Sequence, residues 1–123
     1  MRKIASNYLL TSELNILKRS YWLVDNNAVV CGYGILSNDA PEEHGVEFYG
    51  GMVIAGRVDL GAANIGESIG DYIARIGHFN DKSHRGVSLI TALNWDSMSI
   101  EEGTTVSYIT LLLIPLFLLT LQS

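Results

Sequence analysis

The sequence is poor in the residues that cross-link a chain or give it positive charge. It has one cysteine among 123 residues, so no internal disulfide can form and a secreted disulfide framework is excluded. Eight Lys and Arg residues stand against thirteen Asp and Glu residues, which gives a net charge of -5. Because a phosphate backbone is bound by clusters of positive charge, we expect no nucleic-acid partner. The one cysteine, Cys31, lies in an apolar run and is predicted to be a small buried hydrophobe.

Charge is also absent from the C-terminal end, since no charged residue occurs from Gly103 to Ser123. The apolar tail over residues 106–121 leaves three interpretations open: a buried strand, a membrane anchor or the product of a frameshift. Pro115 and the lack of flanking Lys or Arg argue against an anchor. The N-terminal apolar run is too short, and too broken by Ser6 and Asn7, for a secretory signal. We therefore expect a cytoplasmic protein, with membrane association through the tail as the alternative.

The first half of the chain has the pattern of short strands. Asp25-Asn26-Asn27 is typical of a turn, because Asp and Asn side chains bond their own backbone, and it predicts a hairpin. A later apolar run, Met52–Ala55, predicts a strand buried on both faces. The predicted strands cover Ile4–Leu10, Tyr21–Val24, Ala28–Leu36, Val46–Tyr49 and Met52–Ala55.

The hydrophobic period changes after Gly66. Apolar residues then recur at the i, i+3, i+4 and i+7 positions of an amphipathic helix, namely Ile69, Tyr72, Ile73 and Ile76. A second helix is predicted over Val87–Ile100, and a strand over Val106–Ile114. The predicted fold class is α+β: antiparallel strands forming a partial β-sandwich over residues 1–50, then a strand-helix-helix-strand segment with the apolar tail over residues 51–123. We expect the two segments to form one structural unit.

Three segments resemble the N-terminal part of amidohydrolase-superfamily enzymes, with the likeness covering roughly Met1 to Val106. MRKIASNYLL resembles the sandwich strands of that family, VEFYGGMVIAGRVD its run into the barrel, and ALNWDSMSIEEGTTV its helix before the second barrel strand. The resemblance implies the start of a metal-binding (β/α)8 barrel and an ancestry in hydrolysis of C–N bonds. The family would use Zn or another divalent metal as cofactor.

The most specific element of the family is a His-x-His pair at the end of the first barrel strand. Two imidazoles two residues apart on a strand point the same way, so both can ligate one metal. Counting on from Val58-Asp59, the two positions hold Gly61 and Ala63, which cannot ligate a metal. We therefore predict no catalytic, cofactor-binding or metal-binding residue and no hydrolysis by this chain alone. The alternative hypothesis is a small membrane-associated protein with a non-enzymatic β-rich head.

The remaining candidate sites have simpler interpretations. A metal site can be drawn from His78, Asp81 and His84, but their spacing matches no established ligand set, and His44 is expected to be solvated. The glycines after residue 60 match no phosphate-binding motif. An incomplete sandwich would leave strand edges open, which favours a homo-oligomer as partner.

Overall fold

The computed structural model describes residues 2–36, 45–80 and 85–109. Its elements are β1 (Arg2–Leu10), β2 (Ile16–Val24), β3 (Val30–Ile35), β4 (Val46–Ala55), α1 (Ile69–Arg75), a 3-10 turn (His78–Asn80), β5 (Val87–Thr91) and β6 (Thr105–Ile109). The strands form one six-stranded sheet in the order β3-β2-β1-β4-β5-β6. Only β1 and β4 pair in parallel, and all the other neighbours are antiparallel.

The predicted α+β fold, with the start of a (β/α)8 barrel, is wrong. In the described part of the chain α1 is the only α-helix, and the strand after it runs antiparallel to β4. A barrel of that kind needs parallel strands, each followed by a helix. The second predicted helix, over Val87–Ile100, is instead β5 followed by turns. This helix prediction failed for a physical reason. A short and mostly buried apolar run has the same sequence pattern in a strand as in a buried helix.

Several shorter predictions are confirmed. The Asp25 carboxylate accepts hydrogen bonds from the backbone N–H groups of Asn27 at 2.8 Å and Val29 at 3.0 Å, and so closes the β2–β3 hairpin. Every residue of Met52–Ala55 is buried. The apolar stripe after Gly66 lies on α1, although its last member, Ile76, is the C-cap and is partly exposed.

The sheet buries apolar side chains on both of its faces. Alternation along β4 places Met52 and Ile54 on one side and Val53 and Ala55 on the other. The helix-side core consists of Leu10, Met52, Ile54, Val58, Ile69, Tyr72, Ile73, Ile90, Leu93 and Ile100. The opposite-side core consists of Ile4, Leu9, Trp22, Val24, Val53, Ala55 and Val87.

The sheet curls over the opposite-side core. Val29 and Arg85 form an antiparallel bridge, and the Gly86 N–H donates to Ala28 O at 2.8 Å. These residues precede β3 and β5, which are separated in the sheet by β2, β1 and β4. A contact between such distant strands requires strong curvature of the strands between them. The end of the sheet at which β3 and β5 begin thereby closes around the opposite-side core, and we call it the drawn-together end of the sheet.

No helix within residues 2–36, 45–80 and 85–109 is long and apolar enough to cross a bilayer. The predicted strand Val106–Ile114 is observed as far as Ile109, within β6. The remainder of the apolar tail lies outside the described residues.

Candidate functional site

The loop that follows β4 is the place where the amidohydrolase resemblance puts a metal site. The loop leaves the sheet at Gly56 and is anchored at once by the buried side chain of Ser88. The Ser88 hydroxyl donates to Gly56 O at 2.7 Å and accepts from the Val58 N–H at 2.9 Å. Since both bonds involve main-chain groups of the loop, β5 fixes the direction in which the chain leaves β4.

Side chains of α1 hold the rest of this loop. The Tyr72 hydroxyl donates to Asp59 O. Arg75 donates to Ala62 O at 2.7 Å and forms a two-point contact with the Glu67 carboxylate at 2.8 and 2.9 Å. The hydrogen bonds from Arg75 lower the pKa of Glu67 from its ordinary value. The Ser68 hydroxyl caps α1 by accepting from the Asp71 N–H at 3.1 Å, so the loop and the helix form one braced unit.

The two positions expected for metal ligands lie in this loop but not on a strand. β4 ends at Ala55, and Gly61 and Ala63 lie six and eight residues beyond it, at a turn. The alternation that would aim two imidazoles at one metal therefore does not apply at these positions. The Asp59 carboxylate accepts from the Gly61 N–H at 2.7 Å and so closes the turn. Within the described ranges, no three His, Cys, Asp or Glu side chains are grouped so that they could hold a metal ion.

The histidine cluster drawn from the sequence is only partly described. His78 lies in the 3-10 turn, with its Nε2 atom 2.7 Å from Ala55 O and its ring against Phe79. Asp81, His84 and His44 lie outside the described residues. His78 thus joins the 3-10 turn to the end of β4.

Cys31 is exposed, and the prediction of a buried side chain is wrong. It lies on β3, at one end of the strand order, where the register with β2 shifts between Leu23 and Val24. Its Sγ atom is 3.5 Å from Leu23 O. Among the described residues, the strand that contains Cys31 pairs with β2 alone, and apolar neighbours in sequence do not ensure burial there.

A second candidate site, not recognised from the sequence, is a cavity of about 200 Å³ at the drawn-together end of the sheet. Aromatic side chains from three different elements line it, and Glu13, from the β1–β2 loop, lies beside them. The rings of Trp22 and Tyr33 are nearly perpendicular, at 88°, with centroids 6.2 Å apart. The Trp22 Nε1–H donates to Val53 O at 3.3 Å, which fixes the indole orientation. The described residues that line it are Thr11, Ser12, Glu13, Trp22, Val30, Gly32, Tyr33, Ala55 and Phe79.

Comparison with known proteins gives no relative for either site. No family model, no curated protein and no solved structure matches the chain.

Proposed function

We propose that this chain is an amidohydrolase-like protein that does not hydrolyse C–N bonds on its own. The amidohydrolase likeness rests on the three sequence segments that resemble that family, and the absence of hydrolysis is supported by the composition and bonding of the loop after β4. Hydrolysis by a metalloenzyme requires ligands that leave one metal position open for water, whose pKa the metal then lowers. Gly61 and Ala63 offer no ligand atom on their side chains, and Asp59 is engaged in closing a turn.

Activity measurements test the catalytic half of the proposal. The purified chain would be incubated with Zn²⁺ or Mn²⁺ and with an amide, a cyclic ureide and an aminopyrimidine. We expect no product above the metal-only background. Asp59→Asn is the matched control, because an Asn oxygen can still accept from the Gly61 N–H. Turnover that needs the metal, disappears with a chelator and falls in Asp59→Asn would overturn the proposal.

Self-association is a second candidate role, favoured by the composition of β3. This strand, VCGYGI, has no charge and no proline, the two common means of protecting a sheet edge. Among the described residues it pairs only with β2. Tyr33 and Ile35 are 50% and 72% exposed. An uncharged apolar edge of this kind favours antiparallel pairing with β3 of a second copy.

Light scattering over a range of protein concentrations tests this role. We expect the average mass to rise with concentration towards that of a dimer. Ile35→Lys should keep the chain monomeric, because it introduces a charge at the edge. Ile65→Lys is the matched control, since Ile65 is also 72% exposed but lies in the loop before α1. A wild-type chain that stays monomeric throughout would contradict the proposal.

A further inference from the structure

The cavity at the drawn-together end of the sheet combines aromatic rings with one carboxylate. Trp22 comes from β2, Tyr33 from β3 and Phe79 from the 3-10 turn. An aromatic ring carries negative potential on its face, so a cation within about 6 Å of the ring centroid is attracted to it. Because Trp22 and Tyr33 stand perpendicular to each other, they form a corner rather than a flat platform. A compact group placed in this corner can contact more than one ring.

The charge of the described lining residues favours a positive occupant. Among them Glu13 is the only carboxylate, and none is Lys, Arg or His. Within the ranges that the structure describes, Glu13 makes no ion pair. A cation entering the cavity would therefore gain attraction both from the aromatic rings and from Glu13.

The apolar part of the lining favours an alkylated cation. Val30 and Ala55 add wall without side-chain acceptors for an ammonium N–H group, and besides Glu13 the described lining offers only the hydroxyls of Thr11 and Ser12, of which Thr11 already accepts from the Asn15 N–H. A bare ammonium ion would lose hydration there without full replacement, which is costly. The methyl groups of an alkylated ammonium need no acceptors and pack against rings. The volume of about 200 Å³ is below the range of about 300–1,000 Å³ that is typical of small-molecule sites, so it suits a compact head group.

We propose that the cavity formed by Glu13, Trp22, Tyr33 and Phe79 binds a methylated ammonium group. Such a group occurs in choline-type small molecules and in trimethylated lysine side chains, which share the same head-group chemistry. The proposal does not depend on whether the chain hydrolyses C–N bonds, because the cavity is lined by none of the residues of the loop after β4.

Calorimetric titration of the full chain tests the proposal with choline as the probe. The comparison ligand is 3,3-dimethylbutanol, which has the same shape and no charge. We expect saturable binding of choline with about a tenfold preference over the neutral analogue, the size of a favourable cation–aromatic contact. Equal binding of the two ligands, or no saturable binding of choline, would overturn the proposal.

Variants of two lining residues separate a specific site from general adsorption. Tyr33→Leu removes a half-exposed ring and Glu13→Gln removes the charge, so each should weaken choline binding about fivefold or more. Tyr33→Phe keeps the ring and should retain most of the affinity. Phe48→Leu, which removes an exposed ring outside the cavity, should leave binding unchanged. If Tyr33→Leu and Phe48→Leu weaken binding equally, the proposed site is wrong.

A last pair of titrations distinguishes the two sources of the head group. A short peptide containing Nε-trimethyllysine is compared with the same peptide containing unmodified lysine. Tighter binding of the methylated peptide than of choline supports a protein ligand, whereas the reverse order supports a small molecule. Stronger binding of the unmodified peptide than of the methylated one would contradict the requirement for methylation.

Discussion

Ser6 and Ser20 face each other across β1 and β2, and each donates its hydroxyl to a carbonyl of its own strand two residues away. Ser6 donates to Tyr8 O, and Ser20 donates to Lys18 O at 3.1 Å. Ile4 and Leu9 belong to one core although they are five residues apart, so β1 reverses its faces between them. The two buried hydroxyls therefore stabilise main-chain groups at this reversal.

Removing either hydroxyl should destabilise the sheet. Ser20→Ala removes the partly buried hydrogen bond to Lys18 O, and we expect the free energy of unfolding to fall by about 0.5–1.5 kcal/mol. Ser6→Ala should have an effect of the same size. Ser107→Ala, at an exposed position of β6, is the control and should change stability by less than about 0.5 kcal/mol. Urea unfolding measures all three, and a loss in Ser20→Ala no larger than that in Ser107→Ala would refute the assigned role.

Two glycines should respond to alanine in opposite directions. Gly51 has φ of +127°, and a Cβ there would lie 2.5 Å from Ile90 O. Its N–H donates to Asn7 Oδ1 at 3.0 Å, next to the bulge between β1 and β4. Gly51→Ala should lower the free energy of unfolding by more than about 2 kcal/mol, because the backbone strain of a positive φ and the clash with Ile90 O act together. Gly70→Ala, where a Cβ meets no atom within 4 Å, should stabilise α1 by up to about 1 kcal/mol.

Thermal and urea unfolding of both glycine variants check this contrast. Both variants replace glycine by alanine, so the effect on the unfolded chain is similar in the two. The difference between their free energies of unfolding therefore reports the backbone conformation in the folded state. A Gly51→Ala protein as stable as wild type would show that the bulge tolerates a side chain.

Strands that are bounded by a turn signal were predictable from the sequence. The order and pairing of the strands in the sheet were not predictable. Asp25 marked the β2–β3 hairpin because its carboxylate bonds nearby amides, an interaction local in sequence. The parallel pairing of β1 with β4 joins residues more than forty positions apart, and no local pattern specifies it. The turn after β5 did carry an overlooked signal: Asn94 Oδ1 accepts from the N–H groups of Asp96 and Ser97, as Asn often does in turns.

The two candidate sites also differ in whether a local sequence pattern can identify them. Gly61 and Ala63 were selected through a resemblance that uses one short stretch of sequence, and the structure places them at a turn and not at the end of a strand. The cavity could not be identified from one stretch, because Glu13, Trp22 and Tyr33 are brought together only by the sheet, and Phe79 joins them from a distant turn. Individually each has an ordinary interpretation as a loop charge or a core aromatic.

Acid should weaken the connection between β1 and β4. Arg2 donates to the Glu47 carboxylate at 2.5 and 2.7 Å, and these bonds lower the pKa of Glu47 below its usual 4.5. The folded state therefore favours the ionised carboxylate more than the unfolded state does. The resulting stabilisation is complete above the unfolded pKa, and it is lost as the pH falls through the lower folded pKa.

Glu47→Gln isolates this contribution. The difference in unfolding free energy between wild type and Glu47→Gln should be largest at neutral pH and should shrink below pH 4.5. Added salt should also reduce it, because both side chains are partly exposed. Glu102→Gln, at an exposed position after β5, is the control for a generic loss of negative charge. A difference that is unchanged by acid would contradict the linkage.

The hydroxyl of Tyr72 should limit the motion of the loop after β4. Tyr72 is buried, and its bond to Asp59 O ties α1 to the turn that contains Gly61. Tyr72→Phe should lower the free energy of unfolding by about 0.5–1.5 kcal/mol. It should also speed hydrogen exchange at the Gly61 and Ala63 amides, whose acceptors lie in the same turn. Tyr21→Phe is the control, because the hydroxyl that it removes has no hydrogen bond among the described residues. Hydrogen exchange in the loop after β4 should then match that of wild type. Unchanged exchange in Tyr72→Phe would mean that Arg75 and Ser88 hold the loop without the tyrosine.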